Sequence, residues 1–228
     1  MNETERRARL IQWLEIIFDD VQDLLLDDHI FWELQKVVQE NPQFKESSGL
    51  FTHWMASAFV QATAVGVRRQ AKASDGIISL CRFLKELQKY PRLVSREHYM
   101  SFYAGKEAWL VEFGQRDFNR LAGEGSEHIP LAVVDEHLHE LAQAVGAIEH
   151  YVDRRIAHHD KRGIGRPMPT FADLTMSLKA LERIVIFYWQ FVKGPSMTTM
   201  LPTIQFDWQD VFRFPWRPQL DDSSSEVI

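Results

Sequence analysis

A chain of 228 residues, 45% hydrophobic and 25% charged, is long enough to bury one large core and has the composition of an ordinary globular protein. Its net charge of -6 excludes a surface that grips nucleic acid all over, so any such role must rest on a local basic patch. The single cysteine, Cys81, excludes an internal disulfide and a cysteine-built metal site, and the most apolar run, IVIFYWQFV, is far shorter than the ~20 residues that span a membrane.

The charged start, MNETERRARLIQWLE, has no apolar run followed by a small-residue cleavage site, so we expect no signal peptide and a cytoplasmic location. Helical spacing runs from Thr4 to Leu26, with Leu10, Trp13, Leu14, Ile17, Val21 and Leu24 on one side. A shorter helix follows over His29 to Glu40, ended by Asn41-Pro42. Leu50 to Lys72 reads as a long helix carrying Trp54, Ala58, Ala62 and Val65. Ser74 to Tyr90 reads as another, stopped by Pro91, with Cys81 inside it as a buried structural thiol.

Ser95 to His128, with its glycines and aromatics, is expected to hold one helix near Lys106 to Leu121 and to form an insertion or lid. From Leu131 the apolar residues Val134, Leu138, Leu141, Val145, Ile148 and Val152 form one continuous stripe, with Pro130 as a helix-start residue. A last stripe runs through Leu174, Leu178, Leu181, Val185, Tyr188 and Val192. Thr170 and Asp173 match a capping box before it, and Gly194-Pro195 ends it. The segment with Trp208, Phe212, Phe214 and Trp216 is expected to strap across the surface, and DDSSSEVI to be a disordered tail.

No run alternates as a strand would. The fold class expected is all-α, an antiparallel helical bundle built as a single domain over residues 1–228. Its parts are N-terminal helices over 1–45, a bundle over 50–194 with an insertion at about 95–130, a strap over 195–220 and a tail over 221–228.

Against this acidic background, YVDRRIAHHDKRG and the residues just after it hold five basic side chains: Arg154, Arg155, Lys161, Arg162 and Arg166. Two adjacent histidines, His158 and His159, lie among them. On a continuous α-helix, Tyr151, Arg154 and His158 share one face, and Arg155 and His159 share another nearer Val152 and Ile156. The glycines of DKRGIGR then break the helix.

A neutral histidine can take a proton from an RNA 2'-hydroxyl, and an arginine can hold the phosphate and offset the charge that develops in the transition state. Neighbouring cations fix the backbone of the RNA, and no metal or cofactor is required. Cations at a helix C-terminus are also favoured by the helix dipole alone. Arg68 and Arg69 either add phosphate contacts or pair with acidic residues on a neighbour. The aromatic strap is a packing or dimer element, or a stacking platform for bases. Glu136 and His139 form a Glu-x-x-His pair without a second copy, and His137, His139, His150 and His158 match no standard ligand spacing.

DRRIAHHDK resembles the signature segment of the HEPN superfamily (higher eukaryotes and prokaryotes nucleotide-binding domains), and is most similar to its abortive-infection branch. The resemblance covers roughly Leu50 to Gly194. It is supported by the order of VGVRRQ, SLCRFLKEL, the motif helix and a final amphipathic helix. It implies a HEPN-like bundle and a metal-independent endoribonuclease of toxin or phage-defence type, with two copies meeting as a homodimer. It also implies RNA as substrate, an antitoxin protein as a further partner, and no membrane.

Aligning Ala157-His158 with the family's Ala-His puts Asp153 on the acidic position and Val152 where the arginine is expected. Arg154 with His159 meets the family spacing, and Arg154 with His158 shares a helical face. The roles implied are His158 as base, with His159 as second candidate, and Arg154 on the phosphate. Asp153 or Asp160 orients the histidine, and Arg155, Lys161, Arg162 and Arg166 hold RNA, with Arg68 and Arg69 beside them. The alternative expectation is a non-catalytic helical module that binds RNA, a nucleotide or a protein. A weaker one is a metal-binding bundle.

Overall fold

The computed structural model describes residues 2–42, 49–156, 165, 167–194 and 197–213. Among the described residues the regular structure is helical throughout, apart from one isolated antiparallel bridge between Ser95 and His128. No described helix is long and apolar enough to cross a membrane.

Helix α1 runs Glu3–Glu40 as one element. It opens on a capping box, in which Glu5 N donates to Asn2 Oδ1 (2.8 Å) and Asn2 N donates to Glu5 Oε2 (3.0 Å). Two helices were expected here. The polar trio Asp27-Asp28-His29 contains no glycine or proline, and the buried stripe continues across it from Leu24 to Phe31, seven residues and two turns on. The break at Asn41-Pro42 is where the sequence puts it.

Helix α2 spans Gly49–Ala71 and α3 spans Leu80–Lys89. The helix expected from Ser74 starts six residues later, because Gly76 lies at φ +83 and Ser79 is the cap, accepting from Arg82 N at 3.2 Å. α2 meets α1 closely at Gly66, where an added Cβ would come within 2.5 Å of Leu24 Cδ2. The buried Gln70 ties three elements together. Its amide donates to Asp20 of α1 (3.0 Å), and its carbonyl accepts the Leu80 N–H at the start of α3 (2.9 Å).

Two short elements follow, α4 (Arg96–Ser101) and α5 (Ala108–Ala122). They do not form a lid. Tyr99, Phe118, Ala122 and Ile129 are buried in the same core as the long helices, and Phe118 and Tyr99 meet Phe191 at 5.4 and 5.8 Å between ring centroids. Tyr99 donates to Asp117 at 2.5 Å, closing α4 onto α5.

Helices α6 (Leu131–Tyr151) and α7 (Phe171–Lys193) complete the bundle, with Val134, Leu141, Val145 and Ile148 of α6 and ten residues of α7 buried. The Thr170–Asp173 capping box is present, and Gly194 at φ +86 ends α7. Cross-links between helices fall in reversed order, His137 with Tyr188 and Ala144 with Ser177, Phe18 with Trp189 and Phe31 with Phe171. α6/α7 and α1/α7 are therefore antiparallel pairs. The strap is fixed at Met200, which is buried. Its carbonyl accepts from Gln22 (2.7 Å) and its N–H donates to Glu182 (2.8 Å), so the segment crosses α1 and α7. Farther on, Gln209 donates to Glu33 (3.1 Å), and Trp208 meets Phe212 edge-on. Phe214, Trp216 and the tail over 221–228 lie outside the described residues.

The α6/α7 seam carries a titratable group. His137 Nδ1 shares a hydrogen bond with Tyr188 OH (3.0 Å), and the ring packs edge-on against Phe187. Burial holds its pKa below the ordinary value of 6.5, despite the opposing pull of Glu140 and Glu136. The unfolded chain therefore binds a proton near pH 6.5 that the folded chain refuses, and stability falls as pH drops below that value. Urea unfolding of His137→Gln between pH 7.5 and 5 is expected to show a shallower acid loss than wild type. An identical slope would mean that His137 protonates freely in the fold.

Candidate functional site

The basic run begins where α6 changes its winding. Residues Val152–Ile156 form a π-helical turn. Its hydrogen bonds close over five residues instead of four, so each turn holds extra residues, and such turns recur at functional sites. The four-apart rule expected for a continuous helix therefore stops at Tyr151. Val152 remains in the α6 stripe and is 2% exposed, so the position aligned with the family's arginine belongs to the core.

The turn is clamped by the last turn of α2. Arg68 Nε donates to Asp153 Oδ1, and Lys72 Nζ binds Glu149 Oε1 and reaches Asp153 Oδ2 at 3.4 Å. Burial pushes the Asp153 carboxyl up, but the Arg68 hydrogen bond and the charges of Lys72 and Arg68 outweigh it and hold its pKa below the ordinary carboxylate value. The hydrogen bond to Glu149, together with the charges of Glu149 and Asp153, raises the Lys72 pKa against desolvation. Arg69 pairs with Asp20 of α1 at 3.0 Å. Of the two roles open to Arg68 and Arg69 in the sequence, pairing with acidic neighbours is the one observed. Both oxygens of Asp153 are likewise engaged, by Arg68 of α2 and by Lys72 just beyond its end.

Arg154 is half-buried on the turn and Arg155 is exposed. Arg155, Tyr151, Ile156 and Gln61 of α2 line a hollow of about 340 Å³. Tyr151 also lines a smaller, mainly apolar cavity of about 90 Å³, together with Ile148, Phe171 and Leu174 among others. His158, His159, Asp160, Lys161, Arg162 and Arg166 lie outside the described residues.

The other candidates disperse. His137 turns to Tyr188, and His139 Nε2 accepts from the Gln143 amide at 2.7 Å. Among the described residues no three His, Cys, Asp or Glu side chains are grouped to hold a metal ion. Cys81 is half-buried, and desolvation pushes its thiol pKa up.

Sequence reasoning missed Lys72, Glu149 and Gln61. The first two had a signal: Arg68 and Lys72 are four apart on one helix and Glu149 and Asp153 four apart on another, which is the pattern of two facing charged pairs. Comparison with protein-family models, with curated proteins and with solved structures finds no match to this chain.

Proposed function

We propose that the chain is a HEPN-like, metal-independent endoribonuclease of toxin or phage-defence type that acts as a homodimer, with an antitoxin protein as further partner. The observation that carries the reading is the π-helical turn over Val152–Ile156, from which the basic and histidine-rich run departs, braced against α2 by Asp153, Arg68, Lys72 and Glu149. A non-α winding with its own charged brace at the head of such a run can hold a phosphate-binding arginine in a fixed position. Arg154 and His159 have four residues between them, the spacing carried by the family resemblance, which keeps His159 beside His158 as a candidate for the base.

In this reading Arg154 holds the scissile phosphate, and a histidine takes the 2'-hydroxyl proton. Arg155, Lys161, Arg162 and Arg166 hold the RNA backbone. Asp153, with its oxygens given to Arg68 and Lys72, braces the turn, which leaves Asp160 to orient the histidine. Arg68 and Arg69 act on RNA indirectly, through their ion pairs.

One observation favours the non-catalytic alternative, a helical module binding RNA, nucleotide or protein: a buried Val152 stands in the arginine's place. The two readings separate in a cleavage assay with total RNA in EDTA. Wild type is expected to cleave and the His158→Ala/His159→Ala double variant not to. Equal behaviour of the two proteins would remove the nuclease reading.

A further inference from the structure

The end of α6 remote from the π-turn carries a second cationic hollow. α6 has 21 residues, so at 1.5 Å each the two ends are roughly 30 Å apart. The hollow measures about 300 Å³, at the lower end of the range for small-molecule sites. It lies where the first turn of α1 meets the chain after α3 and the approach to α6, and it is lined by Glu3, Arg6, Lys89, Tyr90, Arg92 and His128 among others.

The carboxylates nearby are already engaged. Arg7 holds Glu3 at 2.9 Å and also donates to the carbonyls of Leu93 (3.1 Å) and Arg92 (3.4 Å), which pins the turn Pro91–Leu93 to α1. Glu86 is shared by Arg9 (2.8 Å) and Arg6 (3.6 Å). Lys89 and Arg92 are exposed and have no ion-pair partner among the described residues. In a protein of net charge -6, a hollow with cations in excess is a local inversion of sign.

The walls supply shape. The Arg6 guanidinium lies over the Tyr90 ring at 4.1 Å from its centroid, fixing that ring. Pro91 and Leu93 extend the apolar wall. His128 Nδ1 donates to the Ile129 carbonyl (2.9 Å), since a carbonyl can only accept, and this fixes the imidazole plane.

We infer that this hollow binds a small phosphomonoester with a planar body, a nucleoside monophosphate, with the phosphate on Lys89, Arg92 and Arg6 and the base against Tyr90 and Pro91. A phosphomonoester carries close to two negative charges at neutral pH and presents three acceptor oxygens, which suits several separate cations better than a single carboxylate would. The arginine fork adds bidentate geometry to the point charge of lysine. This inference is independent of the nuclease reading, because it uses none of the residues of the π-turn.

The test is calorimetric titration of the full chain with the four nucleoside 5'-monophosphates, with the matching nucleosides and with inorganic phosphate. At least one monophosphate is expected to bind about ten-fold or more tighter than either its nucleoside or inorganic phosphate alone, since both phosphate and base contribute. The Lys89→Ala/Arg92→Ala variant is expected to weaken that binding by about ten-fold or more with an unchanged melting temperature, because both side chains are exposed. Arg155→Ala, at the other hollow, is expected to leave it unchanged. The inference is overturned if no monophosphate binds, if nucleoside or phosphate alone binds as tightly, or if the double variant binds the monophosphate as tightly as wild type.

Discussion

Phe191→Ala is expected to lower the melting temperature by on the order of 10 °C. The ring is fully buried on α7 and meets Tyr99 of α4, Phe118 of α5 and Phe187 of its own helix at 5.8, 5.4 and 5.2 Å between centroids. Truncating such a side chain removes its transfer free energy and leaves a cavity, about 3–5 kcal/mol together. In a domain of this size each kcal/mol moves the midpoint by roughly 2–4 °C. The loss falls at an aromatic cluster that fastens α4 and α5 to the long helices, so amide exchange in α4 and α5 is expected to rise more than in α1. Phe191→Leu, which refills most of the volume, is expected to recover over half of the loss. A melting curve for the alanine variant within a degree of wild type would show that these rings do not pack as described.

The second large effect concerns chemistry. If Arg154 stabilises charge on a cleaved phosphate, Arg154→Ala is expected to slow metal-free RNA cleavage by about 100–1,000-fold, the magnitude found when one preorganised donor is removed from a developing oxyanion. Arg154→Lys keeps the charge but loses the planar fork, and is expected to recover only part of the rate. RNA affinity, measured in parallel, should fall far less than the rate, because the remaining cations still hold the backbone. A variant whose affinity falls as much as its rate would place Arg154 among the binding residues. A variant that cleaves like wild type would remove it from the site.

Much of this fold was legible because long amphipathic stripes leave little choice. The stripes of α6 and α7, the Thr170–Asp173 box and the stops at Asn41-Pro42 and Gly194 stand where spacing and capping chemistry put them. What escaped was set by features that spacing does not encode. Asp27-Asp28-His29 reads as a break, yet a polar turn on the solvent side of a helix costs little when Phe31 still reaches the core. The periodic pattern before Ser79 looked helical, but one glycine at positive φ redirects the chain there. A helix was expected around Phe118 and is found there, whereas Tyr99 lies in a stretch too broken for periodicity to register, and only the assembled bundle shows that both rings fill the core.

At the candidate site the residue types were legible and their arrangement was not. A π-turn has no sequence signature of its own. It follows from holding Val152 in the core while Asp153 reaches Arg68 and Lys72, and those partners lie more than eighty residues earlier in the chain.

The antiparallel pairing of α1 with α7 also bears on how the protein is made. α1 precedes its partners in the chain, and α2, α3 and the turn Pro91–Leu93 can cover part of its apolar stripe soon after. The remainder waits for α7, and the tie from Gln22 to Met200 joins residues 178 positions apart. At ~5–20 residues per second of translation, that part of the stripe stays uncovered for roughly 7–30 seconds. A nascent chain stalled before Phe171 is therefore expected to hold chaperone or be cut by protease within α1, whereas one extended past Met200 and clear of the ribosome is not.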